Sequence, residues 1–263
     1  MPAGVVLAGG RSSRMGTPKA WLDWHGTTLL RRTCGVVARG TGGPVVVVRA
    51  PGQALPELPR AVRVVEDAHE GRGPMQGILA GLAAVQDEEE VAFVAATDMP
   101  FLHPRFVAAV CVAADDGADA AVPHIEGFRQ PLAAAYRTSL VPTVADMIGE
   151  GLTKIGMLFK RCETRWLTEL PHPDSVRNLN EIEDYRAALD EPEPGVRVRC
   201  FGPLRRPSAE VRAATLGGAA AAVGVLLDAH VVAAINGDQI ARDPTEALAE
   251  GDDVAFMAAD AGG

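Results

Sequence analysis

Through the first two-thirds of the chain, short runs that are apolar at nearly every position alternate with longer stretches in which apolar residues recur every three to four positions. The short runs predict strands over residues 4–8, 44–49 (PVVVVR), 61–66 and 91–96 (VAFVAA). The longer stretches predict helices over residues 28–39, 75–85 and 104–114. A strand with one wet face alternates apolar and polar side chains. These runs do not, so both of their faces must be covered. The alternation therefore implies an α/β domain, a mostly parallel sheet with helices on both faces.

Past residue 115 the pattern loosens. Residues 118–123 and 130–136 read as strands, and residues 138–149, 153–159 and 180–189 as helices. The acidic segment Asp190-Glu-Pro-Glu-Pro-Gly195 follows, and its two prolines and glycine resist regular structure. This places a first domain at residues 1–190, a linker at 191–195 and a second domain at 196–263. The second domain has no Trp, Tyr or Lys. It reads as a strand (196–201), a helix (208–225), a strand (230–236), a turn at Gly237-Asp238, a short strand and a last strand (253–257), a small α+β pattern.

Composition narrows the function classes. The chain has 263 residues and a formal net charge of −9, which argues against a general nucleic-acid binder but not against a local nucleotide site. Cys34, Cys111, Cys162 and Cys200 are widely spaced with no CxxC pair, as expected of free thiols in a reducing compartment. The start of the chain carries no basic leader, and no apolar run approaches the ~20 residues of a membrane span. The expectation is a cytoplasmic protein with no membrane or nucleic-acid partner. The six histidines (25, 69, 103, 124, 172, 230) are scattered and read as surface or packed residues.

Candidate chemistry begins where the first strand ends, in LAGGRSSRMGTPK, residues 7–19. Gly9 and Gly10 let backbone N–H groups turn inward to hold phosphate oxygens or a base edge. Arg14 and Lys19 add two cations suited to a triphosphate. The segment is not a P-loop, since Gly16 is followed by Thr-Pro-Lys, and it contains no GxGxxG. The strand at 91–96 ends in Thr97-Asp98-Met99-Pro100-Phe101. A carboxylate at the carboxyl end of a parallel strand lines the ligand crevice and can hold Mg²⁺ against phosphates. Asp67 ends the strand at 61–66 in the same way.

The loop resembles the signature of nucleotidyltransferases that share the sugar-nucleotide pyrophosphorylase fold. Its LAGG form with RMG-x-x-K is most similar to the molybdenum cofactor guanylyltransferases (MobA type). That resemblance implies a Rossmann-like nucleotidyltransferase fold, with Leu7, Ala8, Gly9, Gly10, Lys19, Asp67 and Asp98 at the nucleotide. Arg14, Lys19 and Asp98 would be catalytic, and Asp98 would hold Mg²⁺. The DMPF tetrad and the Gly73-Pro-Met-Gln-Gly77 segment resemble further family motifs. Gln130-Pro131-Leu132 resembles a family QPL segment near the second substrate. Asn178-Leu179-Asn180 with the following Glu181-Ile-Glu-Asp resembles the family's N-x-N-x-x-E-D element, and Asn180 would equally make a helix cap. The implied substrates are GTP and the molybdopterin cofactor. CTP or a sugar-phosphate acceptor are the alternatives.

The sequence closes on Gly262-Gly263. A terminal Gly-Gly is slender and flexible enough to enter an active site and present its carboxylate for adenylation. Ala234-Ile-Asn-Gly-Asp238 and the segment LAEGDDVAF (residues 248–256) resemble a MoaD-type β-grasp (ubiquitin-like) sulfur carrier. The resemblance implies a thiocarboxylate on Gly263, with the large subunit of molybdopterin synthase and an adenylating activating enzyme as partners. A different reading makes the chain mainly a sulfur carrier with a nucleotide-binding docking domain.

Overall fold

The computed structural model describes residues 1–9, 17–67 and 73–259. The chain divides into two compact units, one formed by Met1–Leu22 and Leu29–Glu181, the other by Asp23–Thr28 and Ile182–Gly263.

The first unit begins with β1 (Ala3–Leu7), and the short pair β2 (Asp23–Trp24) and β3 (Thr27–Thr28) belongs to the second. The first unit resumes with α1 (Leu29–Thr41), β4 (Val45–Arg49), β5 (Arg63–Glu66), α2 (Pro74–Val85), β6 (Val91–Ala96), α3 (Pro104–Asp115), β7 (Ala120–Ile125), β8 (Phe128–Arg129), β9 (Ala133–Arg137), α4 (Val141–Gly149), α5 (Ile155–Leu158) and β10 (Thr164–Leu167). The sheet runs β10-β7-β9-β6-β1-β4-β5, with β8 folded onto β7. Every pairing along this path is parallel except those of β9. The carboxyl ends of β1, β4, β5, β6, β7 and β10 therefore share one edge.

The doubly apolar runs are buried on both faces, as the pattern requires. Ala3, Val5 and Val6 of β1 and Ala92–Ala95 of β6 are almost fully covered. Neighbouring residues of β1 show which helix covers which face. A Cβ on Gly81 of α2 would lie 2.2 Å from a methyl of Val5, and one on Gly4 would lie 2.3 Å from a methyl of Val37 in α1. So α1 and α2 cover opposite faces, and both lie closer to the sheet than a side chain allows. Gly77 repeats the contact one helical turn earlier, against Leu7. Pro74 at the first turn of α2 and Pro104 at that of α3 are pre-set for helix entry. The edge strands β8 and β10 and the pair β2–β3 are too short to carry a readable period.

The second unit comprises β2–β3, α6 (Ile182–Leu189), β11 (Gly195–Cys200), β12 (Arg206–Arg212), α7 (Leu216–Ala222), β13 (Val231–Ile235), β14 (Gln239–Ala241) and β15 (Asp253–Ala258). Its sheet runs β12-β11-β15-β13-β14, with β11 and β15 parallel and the other pairs antiparallel. Val196, Val198, Leu216, Ile235, Val254 and Phe256 form its core. The expected helix over 208–225 is corrected here. Residues up to Arg212 form β12 against β11, and the helix starts only after Thr215, whose hydroxyl accepts from Gly218 N. The alternation that makes β12 a strand is only Ala209 and Val211 turned inward, and the alanine run after it masks that signal.

Two segments singled out in the sequence are tied together in this unit. Asn236, in the left-handed region at φ 55°, donates from Nδ2 to Asp252 Oδ1 at 2.9 Å. Asp252 is 4% exposed, and its other oxygen accepts from Ala249 N at 2.8 Å. The acidic segment is also anchored, for Glu193 Oε2 accepts from Ala214 N.

Cys34, Cys111 and Cys200 are buried and Cys162 is half-buried, all as free thiols. Burial in α1 pushes the Cys34 thiol from its ordinary 9.0 up to about 12, with Arg31 opposing slightly. The folded state thus favours the neutral thiol. That contribution is complete below pH 9 and is lost as pH rises from 9 toward 12. Chemical denaturation between pH 9 and 11 should show stability falling by about 1.4 kcal/mol per pH unit from this group. Cys34→Ala should remove one proton's worth of that slope.

Candidate active site

The site is assembled from one level of the first unit's sheet. Leu7, the last residue of β1, pairs with Val48 of β4 and Ala96 of β6. Beyond Ala96 the chain must leave the sheet, and Thr97 fixes how. Its hydroxyl is buried and donates to the Leu7 carbonyl at 2.9 Å. Thr33 of α1 reaches the Thr97 carbonyl at 3.4 Å. Buried Arg32 donates from Nε to the Pro100 carbonyl at 2.7 Å. The turn Thr97–Pro100 is thus held on both sides of Asp98, leaving the carboxylate no freedom except its own rotation.

Lys19 arrives from the other end of the glycine-rich segment. It opens a single helical turn, Lys19–Trp21, whose Ala20 is buried and whose Trp21 indole donates to the Ala54 carbonyl at 3.2 Å. Lys19 Nζ donates to Asp98 Oδ2 at 2.6 Å, with side-chain exposures of 22% and 20%. Two residues 79 positions apart therefore meet as a largely covered ion pair. Removing either charge strands the other, a costly change in a partly desolvated place.

The segments expected from the sequence to lie near the second substrate are bonded to the same strand end and the turn after it. The Leu132 carbonyl of Gln130-Pro131-Leu132 accepts from Ala96 N at 3.0 Å. Gln130 N donates to the Pro123 carbonyl, and the Pro131 carbonyl accepts from buried Tyr136 Oη at 2.7 Å. Leu179 N, between Asn178 and Asn180, donates to the carbonyl of Asp98 itself at 2.9 Å. Leu179 is buried while Asn178 and Asn180 are exposed. Two further contacts hold this segment. The Arg177 guanidinium lies 4.0 Å from the centroid of the Phe101 ring. The imidazoles of His103 and His172 stack at 3.5 Å and 8°. His103 also caps α3, accepting from Arg105 N at Nδ1.

Asp67 does not join this cluster. It lies at the same edge but at the end of β5, three strands from β6, where its backbone N–H is bonded to the Arg49 carbonyl. Leu7, Ala8 and Gly9 stand at the end of β1. Gly10, Arg14, Gly262 and Gly263 lie outside the described residues, as does His69. Among the described residues no group of three or more His, Cys, Asp or Glu could cage a metal. Asp98 would have to hold one with oxygen ligands from elsewhere.

Sequence reasoning missed Thr97, the His103–His172 clasp and Gln53. Gln53 donates from Nε2 to the Ala8 carbonyl and accepts from Ala50 N at Oε1, both at 2.9 Å. It so pins the start of the glycine loop to the end of β4. A carboxamide just after the Pro51-Gly52 turn is the only local hint of that role.

The profile of the MobA-like NTP transferase domain matches residues 4–165. The chain belongs to the MobA-like NTP transferase family. It is a nucleotidyltransferase. This NTP transferase is 35% identical over 189 residues to a "Probable molybdenum cofactor guanylyltransferase" of Mycobacterium avium, covering 70% of this chain and 93% of that one. A protein of the same description from Mycobacterium bovis is 41% identical over 160 residues, 59% of this chain and 78% of that one. The fold is also that of molybdopterin-guanine dinucleotide biosynthesis protein A from Archaeoglobus fulgidus, at TM-score 0.56 and 23% identity over 72% of this chain and 97% of that one. Among the described residues no helix is long and apolar enough to cross a membrane.

Thr97→Val keeps the shape of the side chain and deletes the bond to Leu7. It should lower unfolding free energy by about 1–2 kcal/mol, read by denaturant titration. It should also raise KM for the nucleotide severalfold with little change in the acceptor's KM, because it loosens the β1 end.

Proposed function

We propose that this NTP transferase moves GMP from GTP to the terminal phosphate of the molybdopterin cofactor, releasing pyrophosphate. The observation that carries this reading is the Lys19–Asp98 pair, set where the Gln130–Leu132 and Asn178–Asn180 segments are bonded to the same strand end. The acceptor oxygen is already anionic, so no strong base is required. It forms a bond to the α-phosphorus while the α–β bridging bond breaks and pyrophosphate leaves with the electron pair. The protein's task is alignment and charge neutralisation.

The residues present suit Mg²⁺. Asp98 already receives a cation, the Lys19 ammonium, at 2.6 Å, and one carboxylate is enough for an ion that takes phosphate oxygens and keeps its waters. When bound, Mg²⁺ would neutralise phosphate charge. Lys19, released from Asp98, would then turn to the phosphates, with Arg14 as a second cation. Gly9 and Gly10 would border the nucleotide.

With GTP, molybdopterin cofactor and Mg²⁺, wild type should release pyrophosphate. Lys19→Ala and Asp98→Asn should each lower kcat/KM by about 10²–10³-fold or more with the circular dichroism spectrum intact. Near-normal transfer by either variant would refute the assignment. CTP and a sugar-phosphate acceptor tested alongside decide the base and the acceptor, and GTP with molybdopterin should be preferred.

For the second unit we propose a β-grasp sulfur carrier, with Gly263 activated as an acyl-adenylate and converted to a thiocarboxylate. Support comes from β15 lying between β11 and β13 and parallel to β11. The bond between Asn236 and Asp252, which joins the two resembling segments, adds to it. Its partners would be an adenylating activating enzyme and the large subunit of molybdopterin synthase. After incubation with such an enzyme, ATP and a sulfur source, intact mass should rise by the replacement of one oxygen by sulfur. An unchanged mass would remove the carrier role.

A further inference from the structure

The carboxyl edge of the first unit continues past Asp98, through β9 and β7, to β10. Parallel register places Trp166 of β10 opposite Val122 of β7, and antiparallel register places Arg129 of β8 opposite His124. Residues opposite one another, or two apart on one strand, share a face. Trp166, His124 and Arg129 therefore stand on one face, the same face as Val122 and Leu7 in the core cluster. The Arg129 guanidinium carbon lies 4.5 Å from the centroid of the Trp166 ring. Phe159 meets the ring edge-on at 5.2 Å, and His124 does so at 6.3 Å. Trp166 is 37% exposed and Arg129 is exposed.

Arg129 stands apart from most of the arginines around it. Arg49, Arg63, Arg137, Arg161 and Arg165 each meet a carboxylate. Among the described residues the Arg129 guanidinium has neither a hydrogen-bond nor an ion-pair partner, only the indole beneath it. In a chain of net charge −9 an acidic partner would be easy to supply. A flat cation held on an aromatic ring, with its outer face open and its five N–H donors unused, is suited to stack a planar heterocycle on that face while its in-plane donors reach oxygen atoms beside the ring. The His124 imidazole adds a second polar edge.

We propose that Arg129, Trp166 and His124 form the subsite that holds the fused pterin-type ring of the acceptor. This rests on the acceptor reading given above. Strand order supports the acceptor rather than the nucleobase. From the Asp98 strand, the glycine loop on β1 lies to one side, while β9, β7 and β10 lie to the other. Gln130, next to Arg129, begins the segment whose Leu132 is bonded to Ala96. Three strand spacings of ~4.8 Å, roughly 14 Å in all, separate β6 from β10. That distance suits a fused heterocycle at one end of a molecule and a phosphate at the other.

The test uses the intrinsically fluorescent 6-hydroxymethylpterin as a binding probe on the full chain, followed by steady-state kinetics with GTP and molybdopterin cofactor. Wild type should bind the probe, and the probe should compete with the acceptor rather than with GTP. Arg129→Ala and Trp166→Leu should each weaken probe binding and raise the acceptor's KM about 10-fold, with the KM for GTP unchanged. Arg129→Lys should not rescue, since it keeps the charge but loses the plane. Arg129 is exposed, so its variants should melt with wild type and remain decisive even if Trp166→Leu is unstable. Undiminished probe binding by Arg129→Ala, or competition of the probe with GTP, overturns the subsite. If wild type uses molybdopterin and Arg129→Ala does so equally well, the subsite falls while the proposed reaction stands. If wild type binds the pterin through Arg129 but transfers nothing to molybdopterin, the subsite stands and the proposed reaction falls.

Discussion

The hydrogen bond from the Thr97 hydroxyl to the Leu7 carbonyl ties the end of β1, where the glycine-rich segment begins, to the turn that carries Asp98. Parallel strands end side by side without any guarantee that the loops beyond them keep a fixed spacing. Here the first side chain past β6 reaches across to the last carbonyl of β1. The glycine-rich segment therefore leaves the sheet at a set distance from Asp98. The pairing of Leu7 with Ala96 supplies the height, and Thr97 supplies the lateral lock. Backbone bonds from Leu179 to Asp98 and from Ala96 to Leu132 then add two more segments to that level.

The Lys19–Asp98 pair gives this level its electrical character. A phosphate site built only of cations would bind any anion, and one built only of carboxylates would bind any divalent ion. With the two charges facing each other at 2.6 Å, each is satisfied by the other. A ligand gains most when it brings both a cation for Asp98 and an anion for Lys19, the complementarity that the proposed Mg²⁺-bound nucleotide would supply.

How much of this was readable follows from which interactions are local. The strands β1, β4 and β6 announced themselves because burial on both faces leaves no polar position. Lys19 and Asp98 were found because each ends a recognisable segment. Their contact, across 79 residues, is a tertiary fact. The stacking of His103 on His172 is hidden for the same reason, since neither imidazole has a local pattern that distinguishes it from a packed histidine. The latter part of β12, from residue 208, carries a helical signal because two inward side chains, Ala209 and Val211, are outweighed by the alanines that follow. The strands β2, β3 and β8 have only two residues each, too few for alternation to be seen. Arg129 has no signature in the sequence, because what sets it apart is that no carboxylate among the described residues meets its guanidinium.

Gly77 and Gly81 bear on how such a scaffold can change. With Val5 already in the space a side chain at Gly81 would need, and Leu7 3.2 Å from one at Gly77, α2 rests directly on β1, and this floor of the first unit has little slack. New substrates can be accommodated only above that floor, in loops that leave the strand ends. A lineage of such proteins would be expected to diversify at its rim while its foundation stays frozen.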